Sequence, residues 1–175
     1  MSELTRIIKE RRSIRKFKAD AVSKENIDQI IEAGLYAASG KNFQSSKIIA
    51  VTNPEFRKKI TDENRKIGGW SEEFDPFYGA PVILIVIADK KIPTTVYDGS
   101  LTLGNMMLKA HELGLGGIWI HRAKEEFETE FGTNLLRELG IEGEFEGIGH
   151  LAVGYIDGEK PPTPARKENR VFYID

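Results

Sequence analysis

Pro81-Val82-Ile83-Leu84-Ile85-Val86-Ile87 is an apolar run with no polar interruption, rich in β-branched side chains and opened by a proline. Period-two alternation marks a strand with one wet face; a run without it implies a strand buried on both faces. Upstream, Pro54 opens a charged helix, and Ile48-Ile49-Ala50-Val51 reads as a short strand. A small-residue loop, Ala37-Ala38-Ser39-Gly40-Lys41-Asn42, precedes it. Before that loop a helix is expected from the N-cap Ser23 to about Tyr36, with Ile27, Ile30, Ile31, Gly34 and Leu35 as its buried stripe. Leu4, Ile7 and Ile8 share one face of a short first helix. Downstream, a long helix is expected from about Val96 to Leu113, ended by Gly114. Its apolar residues surround most of the axis, which places it at the centre of the fold or against a partner chain. Ile118-Trp119-Ile120 is a short strand, two short helical pieces follow, and Ile148 to Tyr155 is the last core strand. The sheet-and-helix alternation implies an α+β or α/β fold.

The chain has 175 residues, the size of one domain, and neither a repeat nor a linker divides it. From about 160 to 175 it forms an arm. Pro161, Pro162 and Pro164 forbid a helix there, yet Val171, Phe172, Tyr173 and Ile174 are too apolar to be left in water. An extended arm laid on the body or on a second subunit resolves that conflict. Lys and Arg total 25 against 27 Asp and Glu, a balance unlike the basic excess of a nucleic-acid binder. Cysteine is absent, which excludes disulfides, thiolate metal sites and a cysteine nucleophile. The sequence lacks a run of roughly 20 apolar residues for a membrane span and a signal-peptide hydrophobic region at Met1-Ser2-Glu3-Leu4. A cytoplasmic protein is expected.

Several familiar sites fail on spacing. Gly114, Gly116 and Gly117 precede a strand, whereas a dinucleotide-binding glycine loop follows one. Gly40-Lys41 lacks the frame of a P-loop, and no G-x-S-x-G supports a serine triad. His111, His121 and His150 are not spaced as metal ligands. More suggestive is Arg11-Arg12-Ser13-Ile14-Arg15. If the chain is extended after Arg12, then Arg11, Ser13 and Arg15 point the same way. Two guanidinium forks and a hydroxyl suit a phosphate; the alternative is a solvated basic helix end. Ser39, Asn42 and Gln44 offer donors and acceptors that can read the edge of a heteroaromatic ring, or else make an ordinary polar loop. Trp70, Phe74, Phe77 and Tyr78 either line a pocket under a lid or form satellite core.

Together these motifs resemble the FMN-dependent nitroreductase family over essentially the whole chain. The resemblance rests on Arg11-Arg12-Ser13-Ile14-Arg15-Lys16-Phe17, on Ala38-Ser39-Gly40-Lys41-Asn42-Phe43-Gln44, on Gly114-Leu115-Gly116-Gly117-Ile118-Trp119-Ile120, and on Gly149-His150-Leu151-Ala152-Val153-Gly154-Tyr155 with the basic tail. It implies an α+β fold, a mixed β-sheet flanked by helices, in an intertwined homodimer with two FMN sites at the interface. By the same resemblance, Arg11 and Ser13 hold the FMN phosphate, with Arg12 helping through backbone or side chain. Arg15 lies near the pyrimidine end of the flavin. Ser39, Asn42 and Gln44 reach a flavin held mainly by the other subunit. Backbone around Trp119, Ile120 and His121 approaches the redox-active nitrogen, and Arg166, with Lys167, closes over the phosphate. The implied activity passes hydride from NADH or NADPH through FMN to an oxidised small molecule such as a nitroaromatic or quinone, with no catalytic side chain required. A flavin-holding protein without turnover needs the same residues, and a flavin-free phosphate-sensing domain needs only the clamp. Many members carry proline at the position of Ala38 and Pro-Trp at Ser45-Ser46, so the loop here is expected to be shaped differently.

Overall fold

A computed structural model describes residues 1–175. Four strands form one antiparallel sheet: β1 (Ser46–Val51), β2 (Val82–Asp89), β3 (Gly116–Ile120) and β4 (Phe145–Gly154), in the order β1-β2-β4-β3. The parallel component of the expected mixed sheet is confined to one bridge, Ser13 to Gly117. Six helices accompany the sheet: α1 (Glu3–Glu10), α2 (Lys24–Leu35), α3 (Pro54–Gly68), α4 (Thr95–Glu112), α5 (Ala123–Phe127) and α6 (Glu130–Glu138).

The two central strands explain the apolar run. Residues Val82 to Ala88 are buried without exception, and alternate side chains enter two separate cores. Ile83, Ile85 and Ile87 pack with Ile60 of α3, Ala123 and Phe127 of α5 and Leu135 of α6. Val82, Leu84, Val86 and Ala88 pack with Ile27 and Ile30 of α2 and with Leu103, Met106 and Ala110 of α4. At ~1.5–3 kcal/mol for each large side chain taken from water, this strand alone contributes a large share of the folding drive. Local signals place the flanking helices. Ser23 accepts from Asn26 N–H at 3.2 Å, Asn53 accepts from Phe56 N–H at 2.9 Å, and Pro54 occupies the first turn of α3.

β4 contains a bulge. Val86 faces Gly149 while Ile87 faces Gly147, so Ile148 is the extra residue. Ile148 belongs to the α4-side core, and a Cβ on Gly149 would lie 2.2 Å from Trp119 Nε1. His150, next in line, faces the opposite side, where it meets Phe77 edge-on at 5.3 Å. The bulge thus resets the alternation and aims an imidazole into the α3–α5 side.

Two apolar surfaces stay uncovered within one chain. On α4 and beside it, Val96, Tyr97, Leu101, Leu35, Tyr36 and Phe43 are exposed. In the arm, Val171, Phe172, Tyr173 and Ile174 are exposed as well, and residues 161–175 carry no regular secondary structure. No helix is long and apolar enough to cross a membrane.

Candidate functional site

Arg11 ends α1, its N–H donating to Ile7 O at 3.1 Å. The chain then turns extended: Ser13 bridges Gly117, and Ile14 N–H donates to Gly117 O at 3.2 Å. Ile14 enters the core, which leaves Arg11, Ser13 and Arg15 on the outward side. Arg11 is half-buried, and its Nη1 is buried without a hydrogen-bond partner. Burial, helped by the charge of Arg12, pushes its pKa below the ordinary guanidinium range. A desolvated cation with no counter-charge is costly unless an anion completes it. Arg12 is different. Its guanidinium donates to Arg11 O, to Lys9 O at 2.8 Å and to Pro162 O at 3.3 Å, tying the end of α1 to the start of the arm.

The loop between α2 and β1 holds three non-glycine residues at positive φ: Lys41 (49°), Asn42 (58°) and Gln44 (48°). Each such residue stores ~1–3 kcal/mol of strain unless its surroundings impose the conformation. The constraint is Asp98 of α4, buried at 3% exposure. Its carboxylate accepts from Gly40 N–H at 3.0 Å, Ser45 Oγ–H at 2.8 Å and Thr94 Oγ1–H at 3.1 Å. Within the loop, Gln44 N–H donates to Ser39 Oγ at 3.0 Å and Gln44 Nε2 to Asn42 Oδ1 at 3.2 Å. Lys41, Asn42, Phe43 and Gln44 are exposed.

At the far end of β3, Trp119 is half-buried with its Nε1 unpartnered, Ile120 is buried, and His121 is exposed at the turn into α5. Behind this turn lies a fully buried polar group. His150 Nε2 is 2.8 Å from Glu126 Oε2, and Asn64 Nδ2 donates to the same oxygen at 2.5 Å. His150 Nδ1 lies 3.4 Å from Ile120 O, so the network is attached to the end of β3. Beyond the turn, the Arg122 guanidinium lies 4.2 Å over the Trp70 ring.

The nitroreductase family model matches residues 8–155. This chain belongs to the nitroreductase family. A protein of Archaeoglobus fulgidus named as an NADH dehydrogenase/NAD(P)H nitroreductase is 30% identical over 169 residues, 91% of this chain and 89% of its own length. A relative of the same name from Methanothermobacter thermautotrophicus is 38% identical over 116 residues, 64% of this chain; there the chain spans only 57% of the relative's length. Among solved structures, a nitroreductase with bound FMN from Bacteroides fragilis superposes with a TM-score of 0.90, covering 100% of both chains at 24% identity. At that identity the likeness establishes the nitroreductase fold.

Set on that fold, the residues singled out from sequence fall into three groups. Arg11, Arg12, Ser13 and Arg15 share one segment bridged to the start of β3, whose other end carries Trp119, Ile120 and His121. Ser39, Asn42 and Gln44 form a second group, anchored to α4 through Asp98. Arg166 is exposed in the arm and donates to Pro164 O at 2.7 Å. Sequence reasoning passed over Asp98, Asn64, Glu126 and Arg122. For the first three a signal existed: each occupies a helix position that its neighbours mark as buried. Asn64 follows Ile60 by one turn, and Glu126 sits between Ala123 and Phe127. No group of His, Asp and Glu is placed to hold a metal ion.

Proposed function

We propose that this protein is an FMN-dependent oxidoreductase that passes reducing equivalents from NADH or NADPH to an oxidised small molecule such as a nitroaromatic or quinone. The observation that carries the reading is Arg11: a half-buried cation with an unpartnered Nη1, beside Ser13, on a segment bridged to β3. The bound FMN of the Bacteroides fragilis structure and the names of the NAD(P)H nitroreductase relatives support the same choice. When bound, FMN supplies the hydride chemistry.

The chain's own residues bind and orient. Arg11 and Ser13 hold the phosphate. Arg12 contributes backbone only, because its guanidinium is committed to three carbonyls. Arg15, exposed and without a partner side chain, places positive charge at the pyrimidine end, where it favours the reduced ring. The buried end of β3 at Trp119 and Ile120, followed by His121, presents backbone to the ring edge. Residues 1–175 act as one FMN-binding domain in a cytoplasmic homodimer. In that dimer the exposed apolar side of α4 and the arm from about 160 to 175 cover one another's counterparts. Ser39, Asn42 and Gln44 would then reach the flavin held mainly by the other subunit, and Arg166 would close over a phosphate.

Two variants test the assignment. Arg11→Ala should weaken FMN binding by ~1.5–3 kcal/mol, the scale of a charged hydrogen bond, or roughly ten- to hundredfold in Kd. Unchanged affinity in titration calorimetry would remove the phosphate clamp. Deleting the arm from Pro161 should loosen both dimer and flavin; a truncation still dimeric and yellow in size-exclusion chromatography would free the arm of both tasks. The activity itself is read from an anaerobic spectrum: bound flavin should bleach within seconds of adding NADH or NADPH. Flavin that stays oxidised with both donors would mark a flavin-holding protein instead.

A further inference from the structure

Five arginines are half-buried: Arg11, Arg12, Arg57, Arg65 and Arg122. Three are discharged within the protein. Arg57 donates to Asp75 Oδ2 and to Ala80 O, both at 2.6 Å. Arg65 donates to Asp62 Oδ1 at 2.9 Å and Phe74 O at 2.6 Å. Arg12 is spent on carbonyls. Arg11 and Arg122 alone make no side-chain hydrogen bond or ion pair, and each has a buried nitrogen without a partner, Nη1 in Arg11 and Nε in Arg122. The two bracket β3. Arg11 precedes Ser13, which bridges Gly117 near its start; Arg122 lies two residues beyond Ile120 at its end. If Arg11 is kept for a phosphate, a second anion is wanted at the opposite end of the strand.

The surroundings of Arg122 say what kind. Its guanidinium stacks 4.2 Å over the Trp70 ring, an arrangement that fixes the plane and leaves the N–H edge to donate. Trp70 meets Phe74 edge-on at 4.9 Å, and Phe74 meets Tyr78 at 6.1 Å. This aromatic row is held firmly, since Arg65 grips Phe74 O while Arg57 grips Ala80 O and Asp75. Asp75 also accepts from Phe77 N–H and Gly79 N–H, both at 2.9 Å. Tyr78 keeps a φ of 55° within that frame, a strained conformation of the kind that marks functional sites. Of the acidic neighbours of Arg122, Glu126 is committed to Asn64 and His150, and neither Glu125 nor Glu126 comes within ion-pairing distance. A planar cation on an aromatic platform, lacking its own counter-charge, is matched by a planar ligand bearing an anion.

We propose that Arg122, seated on Trp70, is the specificity-determining residue of the acceptor site and selects planar aromatic acceptors that carry a carboxylate, sulfonate or phenolate. The proposal rests on the flavin reading, because that reading makes the end of β3 the place where an acceptor arrives. The test uses purified FMN-loaded protein and a matched pair of probes, 4-nitrobenzoate and its neutral counterpart 4-nitrobenzamide. Binding is followed by tryptophan fluorescence in the absence of any electron donor. The wild-type chain should hold the carboxylate roughly tenfold more tightly than the amide, the scale of one charged hydrogen bond. Arg122→Gln should bring the two to parity. Arg122→Lys, which keeps the charge and loses the fork, should restore part of the preference and serves if the glutamine variant does not fold. Equal affinity for both probes in the wild type, or a preference that survives Arg122→Gln, would overturn the assignment. So would a loss confined to NADPH binding, which would give Arg122 to the phosphates of the donor. A protein that takes up no FMN would sink the flavin reading, while the probe ratio, measured on the same colourless protein, would still judge Arg122.

Discussion

His150→Leu is expected to destabilise the flavin-free protein by about 3–5 kcal/mol, the cost of stripping one member from a buried ion pair. The loss is large because Glu126 has no exposure and would keep only Asn64 as a partner. Its second oxygen, Oε1, already lacks one. Glu126→Leu should cost less, about 1–3 kcal/mol, since a lone imidazole can shed its proton and remain as a neutral group with one unsatisfied nitrogen. Urea unfolding of the two variants measures the asymmetry. The double variant should be less damaging than the sum of the singles, because the charge left stranded by one change is removed by the other. Equal single losses would mean that the pair carries no buried charge to strand. As His150 also reaches Ile120 O, the leucine variant should show faster amide exchange at Ile120, His121 and Arg122.

Asp98→Ala is expected to cost about 2–4 kcal/mol, as three donors lose a charged acceptor at once. Two of them, Gly40 N–H and Ser45 Oγ–H, belong to the strained loop. With the anchor gone, Lys41, Asn42 and Gln44 should relax out of positive φ and the loop should open. Limited trypsin digestion reads this directly, because Lys41 is exposed and lies inside the strained turn. Cleavage after Lys41 should accelerate at least tenfold, beyond what the loss of global stability explains, because local opening sets proteolytic access. Asp98→Asn, which keeps one carbonyl acceptor, should fall between. A loop as resistant in Asp98→Ala as in the parent chain would mean that its backbone is held by something other than this carboxylate.

Local signals were readable from sequence and long-range partnerships were not. Ser23, Pro54 and the Val82–Ile87 run each act on their own neighbours, and the helix starts and the doubly buried strand follow from them. The tail is extended because its prolines forbid anything else. By contrast, Asp98 meets Gly40 across 58 positions and Asn64 meets Glu126 across 62; no periodicity encodes such a meeting. Amphipathic spacing also overstates burial. Of the first helix only Ile7 is buried, with Leu4 and Ile8 exposed, and Leu35 projects from the end of the α2 stripe. α4, apolar on nearly all sides in sequence, buries Leu103, Met106 and Ala110 and leaves Val96 and Leu101 in the open. The aromatic stretch divides: Phe77 is wholly core, while Trp70 remains 37% exposed and stacks on Arg122. The segment at Arg11 was legible as a candidate because its donors lie close in sequence. Arg122 was not, since its isolation becomes visible only when every other half-buried arginine has been matched to its acceptor.

The bulge at Ile148 has a bearing on how this lineage can diverge. Removing one residue there would restore regular pairing between β2 and β4, and every side chain beyond it would exchange faces. His150 and Ala152 would be turned toward α4, and Leu151 and Val153 toward α3 and α5. Side-chain drift along β4 is therefore open to selection, whereas its residue count is fixed. Descendants that change in length are expected to do so in the segments at 69–80 and 139–144, where a gained or lost residue leaves the phase of the sheet untouched.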